Sequence, residues 1–263
     1  MHRFNVLCIG LILATSGLEA LAESSAEKGQ RIFAEYDRSR LGFGAYSVDQ
    51  KLTTTYRDKL SVKLFRLYGF EKKEGNKSLI IFDKPKDNKG TALLNWHHDL
   101  SDDEQWLYLP NFKRIKKISS SAKRTPFVAS AFSYEDVAIL SRQSSAGFTY
   151  HYLRDELLDD TATYVVEGTP TDKKTAYLRA IFWLDTNNYR ILKIVFYDKK
   201  DRLAKTLVAS DFALYLEQYW QAKNLHIVDH LKNKVSELQG DEYIFRAGIK
   251  ENTFSKTGLL RIK

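Results

Sequence analysis

Cys8 is the single cysteine of this 263-residue chain, and it lies within the first apolar stretch. The rest of the chain can therefore form no disulfide and has no thiol nucleophile or thiolate metal site. Long apolar runs are scarce too. Beyond that first stretch nothing approaches the roughly 18 consecutive apolar residues of a membrane-spanning helix. There is no Gly-x-Ser-x-Gly turn and no glycine-rich phosphate loop. No repeat, low-complexity tract or linker divides the chain. The histidines offer little: His97 and His98 adjoin Asp99 with no third ligand at a fixed spacing. His226 and His230 stand four apart, a ligand spacing only on a helix, and their surroundings read at least as well as strand. Neither a cofactor, a metal nor an enzymatic activity is expected.

What is present begins with an export signal. His2 and Arg3 precede a mostly apolar run, Phe4 to Leu18, and Ala20-Leu21-Ala22 has the small-x-small form of a cleavage site. Residues 1–22 are read as a signal peptide cleaved after Ala22. Cys8 is not at the end of a lipobox, so no acyl anchor is expected. Residues 23–263 are read as one domain. Losing Arg3 and Glu19 together leaves the formal net charge at +8. That charge favours encounter with anionic headgroups or an acidic partner, and it equally serves plain solubility. Nucleic acid is not an expected partner, because export removes it.

The apolar pattern changes period along the chain. Ile32, Phe33 and Tyr36 recur at helical spacing between Glu23 and Arg40, and Leu41-Gly42-Phe43-Gly44 breaks the pattern. Alternation of period two follows, with short strands at near-regular spacing and polar turns: 47–58, 59–70, 78–82 and 91–96. It resumes at 147–154, 161–168, 175–184 and 190–197, with Asp185-Thr186-Asn187-Asn188 as a strong turn signal. Leu203 to Leu214, Leu225 to Val235 and Tyr243 to Ile249 read as further strands. This describes an antiparallel meander.

The central segment is denser. Trp106 and Tyr108 form a strand that stops at Pro110, which cannot donate to a ladder. Asn111 to Ile118 reads as a second strand, and a polar loop follows. Ser133-Tyr134-Glu135-Asp136 has the form of a capping box ahead of Val137, Ile139 and Leu140. The runs WLYLPNFKRIKKI and PFVASAFSYEDV resemble the LolA-like family of outer-membrane lipoprotein-sorting proteins, in the branch associated with inner-membrane exporters of the resistance-nodulation-division type. Ala129 and Ala131 stand where that branch usually has glycine and aspartate.

The resemblance implies a periplasmic protein that is mainly β, an open antiparallel half-barrel with helices across its mouth as a lid. The helices at 23–40 and after Ser133 would be that lid, and 127–140 the gate over an apolar cavity for the acyl chains of a lipid or lipoprotein. It implies an inner-membrane exporter as partner, and the basic net charge adds peripheral membrane contact as an expectation; an adaptor of such an exporter that carries no lipid is the alternative. Fifteen Phe, fifteen Tyr and four Trp supply the apolar surface. Candidate cavity residues in the central segment are Trp106, Tyr108, Phe112, Phe127, Phe132 and Tyr134. In the later strands they are Phe148, Tyr150, Tyr152 and Phe182. An aromatic stripe in a β protein is otherwise simply core. Lys113, Arg114, Lys116 and Lys117 are either a contact surface for anionic groups or a charged edge that deters strand pairing.

Overall fold

The computed structural model describes residues 23–98, 101–142 and 144–262. The expected signal peptide and Asp99 lie outside them. One antiparallel sheet of 14 strands dominates. Helix α1 (Ser25–Ser39) precedes it, opened by a capping box between Ser24 and Glu27. Strands β1 (Ala45–Tyr56), β2 (Lys59–Phe70), β3 (Lys77–Lys84), β4 (Ala92–Trp96), β5 (Glu104–Leu109) and β6 (Arg114–Lys117) then step outward to one edge. The chain crosses to the opposite edge through α2 (Tyr134–Ser141). It returns inward through β7 (Phe148–Leu158), β8 (Thr161–Pro170), β9 (Tyr177–Asp185), β10 (Ile191–Asp198), β11 (Leu203–Tyr215), β12 (Tyr219–Asp229) and β13 (Lys234–Gly240). Strand β13 pairs with β1, which joins the two meanders. Strands β6 and β7 remain as free edges, so the sheet is an open half-barrel rather than a closed one.

This topology gives residues 118–147 a special place. Every other connection between sequential strands from β1 to β13 joins neighbours in the sheet. Among the described residues that segment alone runs from edge to edge, and it carries α2 over the concave face.

The sequence reading needs three corrections. The strand expected over 225–235 is interrupted: Asp229 ends β12, and a turn with Asn233 at φ 50° leads into β13. The strand expected over 243–249 shrinks to β14 (Ile244–Phe245), paired with the start of β1. The strand expected over 111–118 opens with a 3-10 turn, Pro110–Phe112, because proline at its first position supplies the right φ and Lys113 then takes φ 46°.

Among the described residues three apolar clusters flank the sheet, the smallest being Val165, Ile181, Trp183 and Val195 on β8–β10. The largest fills part of the concave side, with Leu52, Phe65, Phe82, Phe182, Phe196 and Leu207. The second lies under β3–β5 on the convex side, where Phe254 and Leu259 of the C-terminal turn and α3 (Lys256–Leu259) cover Leu79, Leu94 and Trp106. Strand β3 is thus covered on both faces, which explains its unbroken run Ser78-Leu79-Ile80-Ile81-Phe82.

Candidate functional site: a lidded cavity in the half-barrel

Period-two geometry turns alternate side chains of each strand into the concavity. On β1 this set is Val48, Gln50, Leu52 and Thr54, all buried. The concave face, α1 and the 118–147 crossover enclose a cavity of about 1020 Å3, at the top of the range of about 300–1,000 Å3 for ligand sites. Phe65, Ile80, Ile194, Leu207, Leu225 and Leu238 line it from the sheet.

Of the residues anticipated from sequence, Phe127, Phe132, Phe148, Tyr150 and Phe182 come together on the cavity wall. Phe33 of α1 joins them, stacked on Tyr150 at 3.6 Å between centroids and edge-on to Phe182 at 5.1 Å. Gly168 of β8 makes room for this group: a Cβ there would stand 2.8 Å from Phe182, 3.1 Å from Phe148 and 3.2 Å from Tyr150. Gly29 does the same for α1, where a Cβ would lie 2.8 Å from the Tyr152 nitrogen, so the helix rests directly on the β7 backbone.

The other five lie elsewhere. Trp106 and Tyr108 face the convex cluster, because on β5 it is Gln105 that points to the concave side and reaches the Tyr134 carbonyl at 3.0 Å. Phe112 is 75% exposed in the turn at the sheet edge. Tyr134 packs edge-on against Phe127 at 5.5 Å without lining the cavity. Tyr152 sits beneath the Lys28 ammonium at 3.5 Å. Lys113, Arg114, Lys116 and Lys117 are exposed on and beside the edge strand β6, where Lys117 pairs with Glu104; none lines the cavity.

The crossover is fastened by polar contacts that no local pattern announces. Ser133 and Asp136 form the expected capping box. The same Asp136 is buried, accepts from Tyr177 at 2.5 Å and pairs with the equally buried Lys205. Burial and the adjacent carboxylate push the Tyr177 phenol well above its ordinary range. Glu135 accepts from Thr175 and from the Ala176 amide, and burial still raises its carboxyl. Upstream, the Ala131 amide donates to Ser236 at 3.0 Å and Lys234 to the Ala129 carbonyl at 2.9 Å. Val128 and Ala129 take positive φ, 43° and 64°, where glycine would be unstrained.

At the far end of α2, Ser141, His97 and Asp103 form a chain: Oγ to Nε2 at 3.0 Å, Nδ1 to the carboxylate at 2.9 Å. It has the outline of a hydrolase triad, but three features oppose that chemistry. The Ser141 hydroxyl also lies 2.7 Å from the Val137 carbonyl, which competes for its proton. Asp103 is ion-paired with Arg142, which draws on the charge an imidazolium would need. Ser141 ends a helix, where the dipole disfavours an oxyanion. Burial lowers the pKa of His97 despite the Asp103 bond. Burial opposes the charge on Asp103, yet His97 and Arg142 together hold its carboxyl well below the usual range. The group fastens the last turn of α2 to the loop before β5.

The structural comparisons place this architecture. A domain assigned to outer membrane lipoprotein sorting, from Vibrio parahaemolyticus, superposes with a TM-score of 0.86 at 38% identity, covering 90% of this chain and 100% of that one. This chain belongs to the family of outer membrane lipoprotein-sorting proteins. A DUF1329 family protein from Desulfovibrio piger gives a TM-score of 0.83 at 26% identity over 90% of this chain and 99% of that one. A LolA superfamily protein from Nitrosomonas europaea gives 0.67 at 24% identity over 88% and 98%, a likeness of fold. The family model matching residues 74–261 carries only the description "Uncharacterized protein". No curated protein matches the sequence. Among the described residues of this lipoprotein-sorting family member, no helix is long and apolar enough to cross a membrane, and no group of three or more His, Cys, Asp or Glu is placed to hold a metal.

Proposed function

We propose that this protein is a periplasmic carrier that shields the acyl chains of a lipid or lipoprotein and hands them between membrane components. In this reading residues 1–22 are removed after Ala22 and residues 23–263 act as one unit. The chain does no catalysis, and an inner-membrane exporter of the resistance-nodulation-division type is its partner. The observation that carries the reading is the cavity of about 1020 Å3, its wall more apolar than polar, beneath a crossover that runs from edge to edge of the sheet. Burying one methylene contributes roughly 0.8 kcal/mol, so a 16-carbon chain gains on the order of 10 kcal/mol. Release therefore needs a lid that moves or a direct hand-over. The deciding experiment is extraction of the purified mature protein with organic solvent followed by mass spectrometry. Acyl lipid near one molecule per protein is the expected result. An empty protein that also fails to take up lipid from vesicles overturns the carrier reading.

A specific observation favours the second reading, an exporter adaptor without cargo: polar groups fasten α2 at both ends, the buried Asp136–Lys205 pair at one and buried His97 with half-buried Ser141, Asp103 and Arg142 at the other. The two readings part on whether the crossover moves. Replacing Ala131 and Ser236, whose amide and hydroxyl already touch, by cysteines allows the segment to be pinned by oxidation. The carrier reading expects lipid exchange to stop in the oxidised form and return on reduction. Exchange unaltered by a crosslink of verified mass means that this segment is not the gate.

A further inference from the structure

We infer that the rim formed by Leu41 and the β11–β12 hairpin inserts into the surface of a lipid bilayer, so that the cavity mouth opens onto the membrane rather than onto water. Leu41, Leu214 and Leu216 are 51%, 46% and 49% exposed. They are held together: Gln218 and Tyr219 of the hairpin both donate to the Leu41 carbonyl at 3.1 Å. This inference rests on the carrier reading for its purpose, though not for its geometry.

Folding alone gives no reason for leucine at the hairpin tip. Leu216 and Glu217 have φ 50° and 58°, a conformation that L side chains other than Asn and Asp adopt at a steric cost. Other left-handed turn positions are taken by Asp58, Asp159, Asp201 and Asn233, or by Arg57, Lys113, Tyr189 and Arg246, none of them a large exposed aliphatic side chain. An apolar side chain that is both exposed and conformationally disfavoured points to a role outside the fold.

The base beneath the leucines is rigid and aromatic. Tyr219 stacks on Phe245 at 5.2 Å, Tyr215 lies 5.5 Å from Phe245, and Phe43 lies 5.2 Å from Tyr46. Their polar atoms are occupied, as in the Tyr215 hydroxyl bond to Glu242 at 2.8 Å. Rings with an apolar body and a satisfied polar tip suit the boundary between headgroups and acyl chains. The patch also continues the cavity wall outward. Leu214 is the cross-strand partner of Trp220, and Phe43, Tyr46, Phe212, Tyr219 and Trp220 all line the cavity. An acyl chain leaving the bilayer at this rim would pass from one apolar phase to another without crossing water.

Charge separates this contact from the basic edge at β6. Close to the rim the two signs are matched: Arg40, Lys223 and Arg246 stand with Glu71, Glu217 and Glu242, Lys223 being paired with Glu242 and Glu71 accepting from the Gly42 and Gly44 amides. Insertion here is driven by apolar burial and does not need anionic lipid.

The test uses the mature chain and vesicles of phosphatidylcholine. An environment-sensitive fluorophore is placed through Leu216→Cys, with Leu60→Cys as control. Leu60 is 67% exposed, at the opposite end of the sheet, where β1 turns into β2. Vesicles should shift the emission of the label at position 216 to the blue and leave the label at 60 unchanged, in low and high salt alike. Leu41→Glu/Leu216→Glu should weaken co-sedimentation with vesicles by about tenfold or more at an unchanged melting temperature, since binding follows buried apolar area. Equal responses at the two labels overturn the inference. So does binding abolished by salt, which would assign the contact to basic side chains, or a shift that appears only when a protein partner is added. A blue shift at 216 in a protein that neither holds lipid nor takes it up from vesicles supports the rim contact and overturns the carrier reading alone.

Discussion

Lys205 of β11 and Asp136 of α2 form an ion pair in which both side chains are nearly inaccessible to water. It ties the crossover to the sheet by charge, beside the buried Ala131–Ser236 and Tyr177–Asp136 hydrogen bonds. Taking two charges out of water nearly cancels their attraction, so such a pair is worth little net, while removing one partner is costly. Lifting α2 would return both charges to water together. The pair therefore fixes where the crossover rests while adding little net free energy to holding it there.

Removing one partner should expose that asymmetry. Lys205→Met leaves Asp136 buried and unpaired and should cost about 3–5 kcal/mol in chemical denaturation. Adding Asp136→Asn to it should recover part of the loss, a coupling measurable in a double-mutant cycle. Additive losses would mean that the pair is not a unit.

Ala129→Gly should stabilise the protein. Ala129 sits at φ 64° beside Val128 at φ 43°, and relief of one left-handed alanine should recover about 1 kcal/mol, less the entropy that glycine brings to the unfolded chain. A rise in melting temperature checks this, and a fall refutes it.

Gly168→Ala probes the cavity wall. The new methyl would meet Phe182, Phe148 and Tyr150 and should cost about 1–3 kcal/mol through displaced rings. If those rings line a lipid site, the extracted lipid per protein should fall. Lipid content that holds while stability drops would place the acyl chain elsewhere.

Charge reversal at Lys113, Arg114, Lys116 and Lys117 separates the two readings of the β6 edge. A contact surface predicts weaker binding to anionic vesicles or to the exporter, most clearly at low salt. Unchanged binding with unchanged salt dependence would leave the cluster as an edge that deters strand pairing.

The fifth prediction concerns pH. The pKa of His97 is lowered by burial from an ordinary 6.5. The unfolded chain thus takes up this proton first as pH falls, and the stability tied to neutral His97 is present above about pH 6.5 and lost below it. Asp103, whose carboxyl is held low, adds a second loss below its ordinary 3.8. His97→Gln should flatten the dependence of melting temperature between pH 7 and 5 relative to the unmodified protein. An unaltered slope would show that other groups carry it.

Much of the architecture is legible locally, because strands and caps answer to neighbours in sequence. Alternation with period two marks β1, β2 and β7 to β10, and Ser133 with Asp136 announces α2 three residues apart. Which side of the sheet a stripe faces is another matter. Trp106 and Tyr108 read as cavity residues because they alternate like the others, yet Phe254 and Leu259, some 150 positions later, cover them on the convex side. Alternation defines two faces and does not say which is inward when both are buried. The same holds for the fastening of the lid. Asp136 finds Tyr177 at a separation of 41 positions and Lys205 at 69, and a capping box accounts for Asp136 without either. Only the closing of the two meanders at β1 and β13 brings the opposite edges near enough for one crossover to span them, and so creates both the cavity and its lid.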